Sequence, residues 1–300
     1  MQTERVLYGY EVDLASDTTA AKICRLIGSD KEVLEVGCAV GHQTNCLVRR
    51  LNCRVTGVEV DADAARSAAP YCEQLIVGDI EKGALDQLPA GKLFDVVVFA
   101  DVLEHLRDPG KLLKKIKSLL RSSGFVVCSV PNIVHASVIF EMANGRFDYQ
   151  SSGLLDHTHL RFFTRKSIYE LFAESGYDVQ EIQTSELPPE RTEFGTIAIT
   201  EEDRLFLNYI QQHNVDSNVY QYILKAAVSE RMAEANLRVL RAEETAKKLA
   251  MALSAAQRRM QRLESNLSWI TNRTGYRFLR ATKHLLSPAN WRRAITKILR

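Results

Sequence analysis

The segment VLEVG at residues 33–37 is a short apolar run ending on glycine, and it restricts the fold more than any other feature. A strand that turns at once into a helix, here from about His42 to Leu51, needs a bend with no side chain in the way. The same alternation continues downstream, where RVTGVE (54–59), LIVG (75–78), FDVVVFA (94–100) and GFVVCSV (124–130) are β-branched strand candidates. Between the last two, PGKLLKKIKSLL places Leu112, Leu113, Ile116, Leu119 and Leu120 on one helical stripe, with Pro109 suited to its beginning. Strands and helices at this spacing predict an α/β fold with a largely parallel sheet covered on both faces.

Other segments extend that body. Residues 18–28 fit a helix capped by Asp17 or Thr18 and stopped by Gly28, behind an N-terminal arm or lid over 1–17. FTRKSIYELFAESGY predicts a helix with Thr164 as its cap and Gly176 as its stop. A strand near 179–184, a helix near 201–212 and a strand at VYQYILKA complete a domain over 18–228, with an irregular connection at 185–200. No run of eighteen apolar residues is present, and the N-terminus lacks the basic-then-apolar order of a secretory signal. Cys24, Cys38, Cys46, Cys53, Cys72 and Cys128 have no metal-ligand spacing and read as reduced buried thiols, which places the chain in the cytoplasm.

The stretch LEVGCAVG (34–41) carries the first chemical hint. Gly37 lets backbone approach a ligand, and Gly41 removes a side chain from the same crevice. Glu59 follows Gly37 by 22 positions at the end of the second strand, where an acid can accept hydrogen bonds from both ribose hydroxyls. Asp79 ends the third strand, placed to receive an adenine amino hydrogen, and Ala100 and Asp101 follow the fourth. The plain alternative is that Gly37 and Gly41 only permit a tight connection. A dinucleotide turn wants three glycines to admit a pyrophosphate, whereas this chain has Gly37-Cys38-Ala39-Val40-Gly41; a phosphate-binding lysine loop is also missing.

Taken together, LEVGCAVG, VTGVEVD, VGDIE, FDVVVFADVLEHLRDP and VVCSVPN resemble the class I S-adenosylmethionine-dependent methyltransferases. The resemblance runs over about 18–228 and is nearest to the small-molecule O-methyltransferase branch that includes ubiquinone-biosynthesis enzymes. It implies a Rossmann-like seven-stranded sheet with an antiparallel last strand, S-adenosyl-L-methionine as cofactor and S-adenosyl-L-homocysteine as product. Carried over, Glu35, Gly37, Cys38 and Gly41 form the cofactor loop, Glu59 holds the ribose and Asp79 the adenine, with Val60 and Ile80 as further cofactor-binding residues. Ala100 and Asp101 flank the methionine portion. The family's middle loop glycine is Ala39 here, and Glu59 replaces the commoner Asp.

Methyl transfer to oxygen needs an oriented acceptor and a destination for its proton, a role suited to histidine. His105 lies just beyond the fourth strand, and His157 and His159 lie in DHTHLRFF. These three are the candidate bases; the alternative for His105 is shaping the cofactor pocket. The segment 132–161 is long for a connection and is expected to be a lid over the acceptor, with His135 and Arg161 as contacts. Asp156, His157 and His159 make a weak metal cluster, so no metal is expected. DHTHLRFFT resembles a run in methyltransferases of glycan biosynthesis. The expected acceptor is therefore a hydroxyl of a sugar or lipid-linked glycan, with a quinone or small aromatic near a membrane as the alternative. A catalytically inactive assembly protein is the non-enzyme reading. Nucleic acid is disfavoured by an acidic body, with 23 Lys/Arg against 32 Asp/Glu over the first 229 residues, and by the absence of a base-methylating N/D-P-P-Y/F motif.

Beyond the body the pattern changes. From Val228, apolar residues recur at alternating spacings of four and three through Met232, Ala235, Val239, Leu249, Leu253, Met260 and Leu263 to Ile270, without proline or glycine. A coiled-coil helix over 229–270 is expected, giving a homo-oligomer through 228–270. The alternative is a helix packed back on the body. The last thirty residues, 271–300, hold eight Lys/Arg and no Asp/Glu, with Trp291, Ile295, Ile298 and Leu299 as an apolar stripe. This basic amphipathic tail suits an anionic membrane, at its inner face, or a glycan-assembly protein.

Overall fold

The computed structural model describes residues 11–194 and 200–272. Most of the expected N-terminal arm (1–10) and all but the first two residues of the expected basic tail (273–300) lie outside them. The chain divides into two units, Met1–Arg238 and Val239–Arg300.

The first unit is built on seven strands: β1 (Glu32–Val36), β2 (Arg54–Glu59), β3 (Gln74–Val77), β4 (Phe94–Ala100), β5 (Leu120–Pro131), β6 (Tyr177–Glu186) and β7 (Val219–Val228). They lie in the order β3-β2-β1-β4-β5-β7-β6. β1 to β5 pair in parallel, while β7 runs antiparallel between β5 and β6. The expected mixed sheet with an antiparallel final strand is present. β5 begins four residues earlier than its apolar pattern suggests, because Leu120 still pairs with Phe94 before an irregularity in the ladder.

Alternation along β4 shows how the two faces are filled. Val97 and Phe99 join a cluster with Leu112, Leu113 and Ile116 of α4 (Pro109–Ile116) and Ile168 and Phe172 of α6 (Arg165–Glu174). Val96 and Val98 join the opposite cluster with Ile23 and Ile27 of α1 (Thr19–Ile27) and Leu47 of α2 (His42–Leu51). Successive side chains of a strand point to opposite faces, so one apolar run feeds both cores. α3 (Ala62–Ala68) packs beside β2 and β3. The expected caps are in place: Thr18 accepts from the Ala21 amide, and Thr164 forms a reciprocal capping pair with Ser167.

Gly57, inside β2, makes room rather than a turn. A side-chain carbon there would stand 2.9 Å from both the Cys38 and Cys72 sulfurs. Gly57→Ala is expected to cost about 1–3 kcal/mol through overpacking. Urea unfolding midpoints of the two proteins measure this, and equal midpoints would show that the neighbouring loop gives way freely.

The expected lid is a packed insertion. α5 (Ala136–Ala143) buries Ala136 and Phe140 against Leu207 and Ile210 of α7 (Glu201–His213), and Val138 meets Leu154 and Leu155. α8 (Glu230–Asn272) is one continuous 43-residue helix. A coiled coil needs two helices and the structure has one here. Within the second unit, Val239, Leu249, Leu253, Met260 and Leu263 of the expected seam are exposed.

Candidate active site

The connection from β1 to α2 is shaped by three left-handed residues: Gly37 (φ 74°), Ala39 (φ 48°) and Gly41 (φ 85°). A side-chain carbon on Gly37 would lie 2.7 Å from Val102, and one on Gly41 would lie 2.8 Å from the Ala68 backbone. Both glycines are therefore required by conformation and by space. Ala39 takes the same left-handed shape with a methyl group, at a cost of about 1–2 kcal/mol. Glu59 secures it: one carboxylate oxygen accepts from the Ala39 amide at 2.8 Å and the other from the Asp61 amide at 2.9 Å. The amides of Gly37 and Cys38 reach the Val58 carbonyl at 2.8 and 3.3 Å.

The loop borders a cleft of about 380 Å³ at the carboxyl ends of β1 and β4, lined in part by Glu35, Gly37, Cys38, Ala100 and Asp101. Gly41 and Glu59 shape the loop without lining this cleft. Asp79 sits at the end of the neighbouring strand, where Gly78 donates to the Glu59 carbonyl at 2.8 Å. Its carboxylate caps the turn Ile80–Lys82 and pairs with Lys82 at 3.0 Å; Ile80 is buried, and Val60 is exposed. The cleft thus gathers five of the ten expected cofactor residues. Three others, Gly41, Glu59 and Asp79, are at its strand ends and loop.

Glu35 is buried under the loop, accepting from Gln43 at 3.0 Å and Thr44 at 2.6 Å. Burial pushes its pKa up to about 7, against those two hydrogen bonds. A carboxyl raised above its ordinary 4.5 gives its stabilising contribution in full below that pH and loses it as pH rises through about 7. Glu35→Gln should flatten the pH dependence of stability across this window. Denaturation midpoints at about pH 5 and about pH 8 decide it, and an unchanged slope in the variant would place the titration elsewhere.

A second cavity of about 270 Å³ adjoins the first and shares two of its residues, Asp101 and Gln221. Asp101 has φ 52° and accepts from the Ser129 hydroxyl at 2.7 Å and the Gln221 amide at 2.8 Å. Gln221 also accepts from Thr19 at 2.5 Å. Water reaches Asp101 through the cleft, but surrounding protein still raises its pKa against the Ser129 and Gln221 hydrogen bonds.

The second cavity brings His105 and His159 together, edge to face with ring centres 4.8 Å apart. His105 Nδ1 lies 3.0 Å from the Thr158 hydroxyl, which in turn donates to Asp156 at 2.6 Å. Burial first, then the neighbouring His105, holds His159 below the usual histidine value. Glu104 is 1% exposed, and neither carboxylate oxygen has a hydrogen-bond partner. Burial, then Asp101, raises its pKa well above the ordinary range. Glu104, His105 and His159 each offer one ligand atom, all within 4.8 Å of one another. This grouping differs from the Asp156–His157–His159 set that sequence spacing suggested.

The remaining expected residues are elsewhere. His157 is exposed, with Nδ1 3.2 Å from the Gln150 carbonyl, and does not line the cavity. His135 is not brought to the acceptor space: it is fully buried as the cap of α5, with Nδ1 2.8 Å from Ser137 and Nε2 2.8 Å from the Leu187 carbonyl. Arg161 lines a different and larger cleft of about 640 Å³ beside α4 and α6, and its backbone amide donates to the Glu104 carbonyl at 2.9 Å. Gln221, Tyr220, Ser129 and Gln43 were not legible as site residues. No local spacing in the sequence links β7 to the turn after β4.

A glycine-bounded loop, an acid at the end of β2 and an adjoining histidine-lined cavity on this sheet order define a class I S-adenosylmethionine-dependent methyltransferase fold. A family model described as a methyltransferase domain matches residues 13–182. The chain belongs to that family, whose cofactor is S-adenosylmethionine and whose cofactor product is S-adenosylhomocysteine. It is similar to the ubiquinone biosynthesis O-methyltransferase of Psychrobacter arcticus, 28% identical over 51% of this chain and 61% of that protein. It is also 28% identical to the protein of the same name from Cereibacter sphaeroides, over 49% of this chain and 60% of that one. The chain thus spans about three-fifths of these relatives' length. Among solved structures, a SAM-dependent methyltransferase from Archaeoglobus fulgidus is 22% identical, with TM-score 0.47 over 69% of this chain and 91% of that one.

The loop fits this cofactor. Beside it, Glu35, Gly37, Cys38 and Asp101 border an open cleft of about 380 Å³ that offers carboxylate and backbone groups to a polar ligand.

Proposed function

We propose that the chain methylates a hydroxyl group of a small molecule. The supporting observation is the shared wall between the loop-side cleft and the histidine-lined cavity, formed by Asp101 and Gln221. The bound cofactor supplies an electrophilic methyl group on a sulfonium. Asp101, held by Ser129 and Gln221, fixes the boundary between cofactor and acceptor. His159, kept neutral by burial, takes the acceptor proton, while His105 is oriented by Thr158 and Asp156 beside it. Orienting the two partners across one wall supplies much of the rate.

The relatives' names favour a quinone precursor or another small phenol as the acceptor. A sugar hydroxyl is the second reading, favoured by the polar Asp101, Glu104, Asp156 and Tyr220 around the cavity. Labelled S-adenosylmethionine incubated with a catechol-bearing quinone precursor and, separately, with a cellular glycolipid fraction distinguishes them by the labelled product. Binding of S-adenosylhomocysteine with no transfer to either supports the inactive assembly protein. The exposed seam of α8 fits a second copy of the helix, and the basic residues beyond it fit an anionic inner membrane face or an anionic partner.

A further inference from the structure

Two thiols meet beneath the cofactor loop. Cys38 follows Gly37 in that loop, and Cys72 follows the single turn Ala69–Tyr71 after α3. Both sulfurs flank Gly57, each 2.9 Å from the position of a side-chain carbon there. Neither belongs to a disulfide. Cys38 is buried, whereas Cys72 is only partly so. The missing side chain at Gly57 is thus the space that lets two sulfurs from separate segments sit side by side.

We propose that Cys38 and Cys72 form a peroxide-sensitive dithiol whose closure to a disulfide disables the cofactor loop. The neighbouring Cys38 holds the Cys72 thiol below the ordinary cysteine range, against burial, while Cys38 is pushed up by Cys72 and by burial. Cys72 is therefore the thiolate that reacts first. Its sulfur attacks one peroxide oxygen, the O–O bond breaks and hydroxide leaves, giving a sulfenic acid at Cys72. The Cys38 sulfur then displaces the sulfenic oxygen, an S–S bond forms, and the Cys38 proton leaves with that oxygen as water. Two thiols lose two electrons and two protons, and one peroxide becomes two waters.

Closure cannot be neutral for the loop. A disulfide holds its sulfurs about 2.05 Å apart, far closer than two unbonded sulfurs stand. The two sulfurs must move together, and Cys38 lies between Gly37, whose amide is tied to the Val58 carbonyl, and Ala39, whose amide is anchored on Glu59. Cys24 and Cys46 provide an internal comparison. Both are buried and burial pushes both thiols up, so neither is expected to react first with peroxide.

The full chain treated with hydrogen peroxide should yield a Cys38–Cys72 cross-linked peptide in a non-reducing mass map. Its affinity for S-adenosylhomocysteine should fall by about tenfold or more and return with dithiothreitol. Cys72→Ser should give no cross-link and keep its affinity through peroxide. Absence of the cross-linked peptide from the oxidised wild-type chain overturns the proposal, as does a cross-link that leaves affinity unchanged. The affinity readout rests on the cofactor reading. A reduced chain that binds no S-adenosylhomocysteine sinks that reading, while the peptide map still judges the dithiol.

Discussion

Glu59→Ala is expected to weaken S-adenosylhomocysteine binding by about a hundredfold or more. Two effects combine in this variant. The carboxylate is the proposed acceptor for ribose hydroxyls, and it also holds the Ala39 and Asp61 amides. Hydrogen bonds to a charged group contribute about 1.5–3 kcal/mol each, and every 1.4 kcal/mol is tenfold in affinity. Without Glu59, Ala39 has little to keep it in a conformation its methyl group disfavours. Glu59→Asp separates the two roles, since a shorter carboxylate keeps the charge at the end of β2 while reaching the Ala39 amide poorly. Titration calorimetry on folded protein provides the measurement. A loss within about threefold for Glu59→Ala would remove this residue from cofactor binding.

The second large effect concerns the histidine pair. Replacing His159 by Ala should lower kcat by about 10²–10⁴, the usual contribution of a positioned base, with S-adenosylhomocysteine affinity nearly unchanged. His105→Ala should lower kcat less if it acts beside His159 rather than as the base. The pH profile carries the sign. Burial and His105 lower the His159 pKa, so the proton-accepting neutral form persists below the ordinary histidine value of 6.5. Activity should therefore fall only on acidification below that value, and His159→Ala should lose this acid limb. His157→Ala should behave as wild type, because His157 does not line the cavity. A His157 variant as impaired as the His159 one would overturn the assignment of the base.

Residues near one another in sequence were the easiest to place. The apolar runs of β1, β2 and β4 are buried on both faces, so they read as strands, and the turn after β1 is marked by glycines whose φ values demand them. Glu59 ends β2 and Asp101 follows β4 directly, which made their positions at the carboxyl ends of the strands legible. The histidines were harder. Asp156 to His159 forms consecutive turns, with the His159 amide bonded to the Asp156 carbonyl, so no strand or helix period tells which ring faces inward. His135 looked available because it is polar within an expected lid, but its segment carries small cores of its own and consumes both ring nitrogens. Gln221 was invisible because its role depends on β7 lying beside β5, a pairing across nearly a hundred residues. The heptad pattern over 229–270 corresponds to the helix Glu230–Asn272, which among the described residues is a single helix and not a coiled coil.

The placement of β7 also governs when the site can exist during synthesis. It is the last strand of the sheet to leave the ribosome, yet it occupies an interior position between β5 and β6. Until it inserts, β5 presents an unpaired edge, and Asp101 lacks the Gln221 amide. A nascent chain ending before residue 219 therefore holds the loop and the acids but only part of the wall between donor and acceptor. Competence arrives late and all at once, with the strand that closes the sheet.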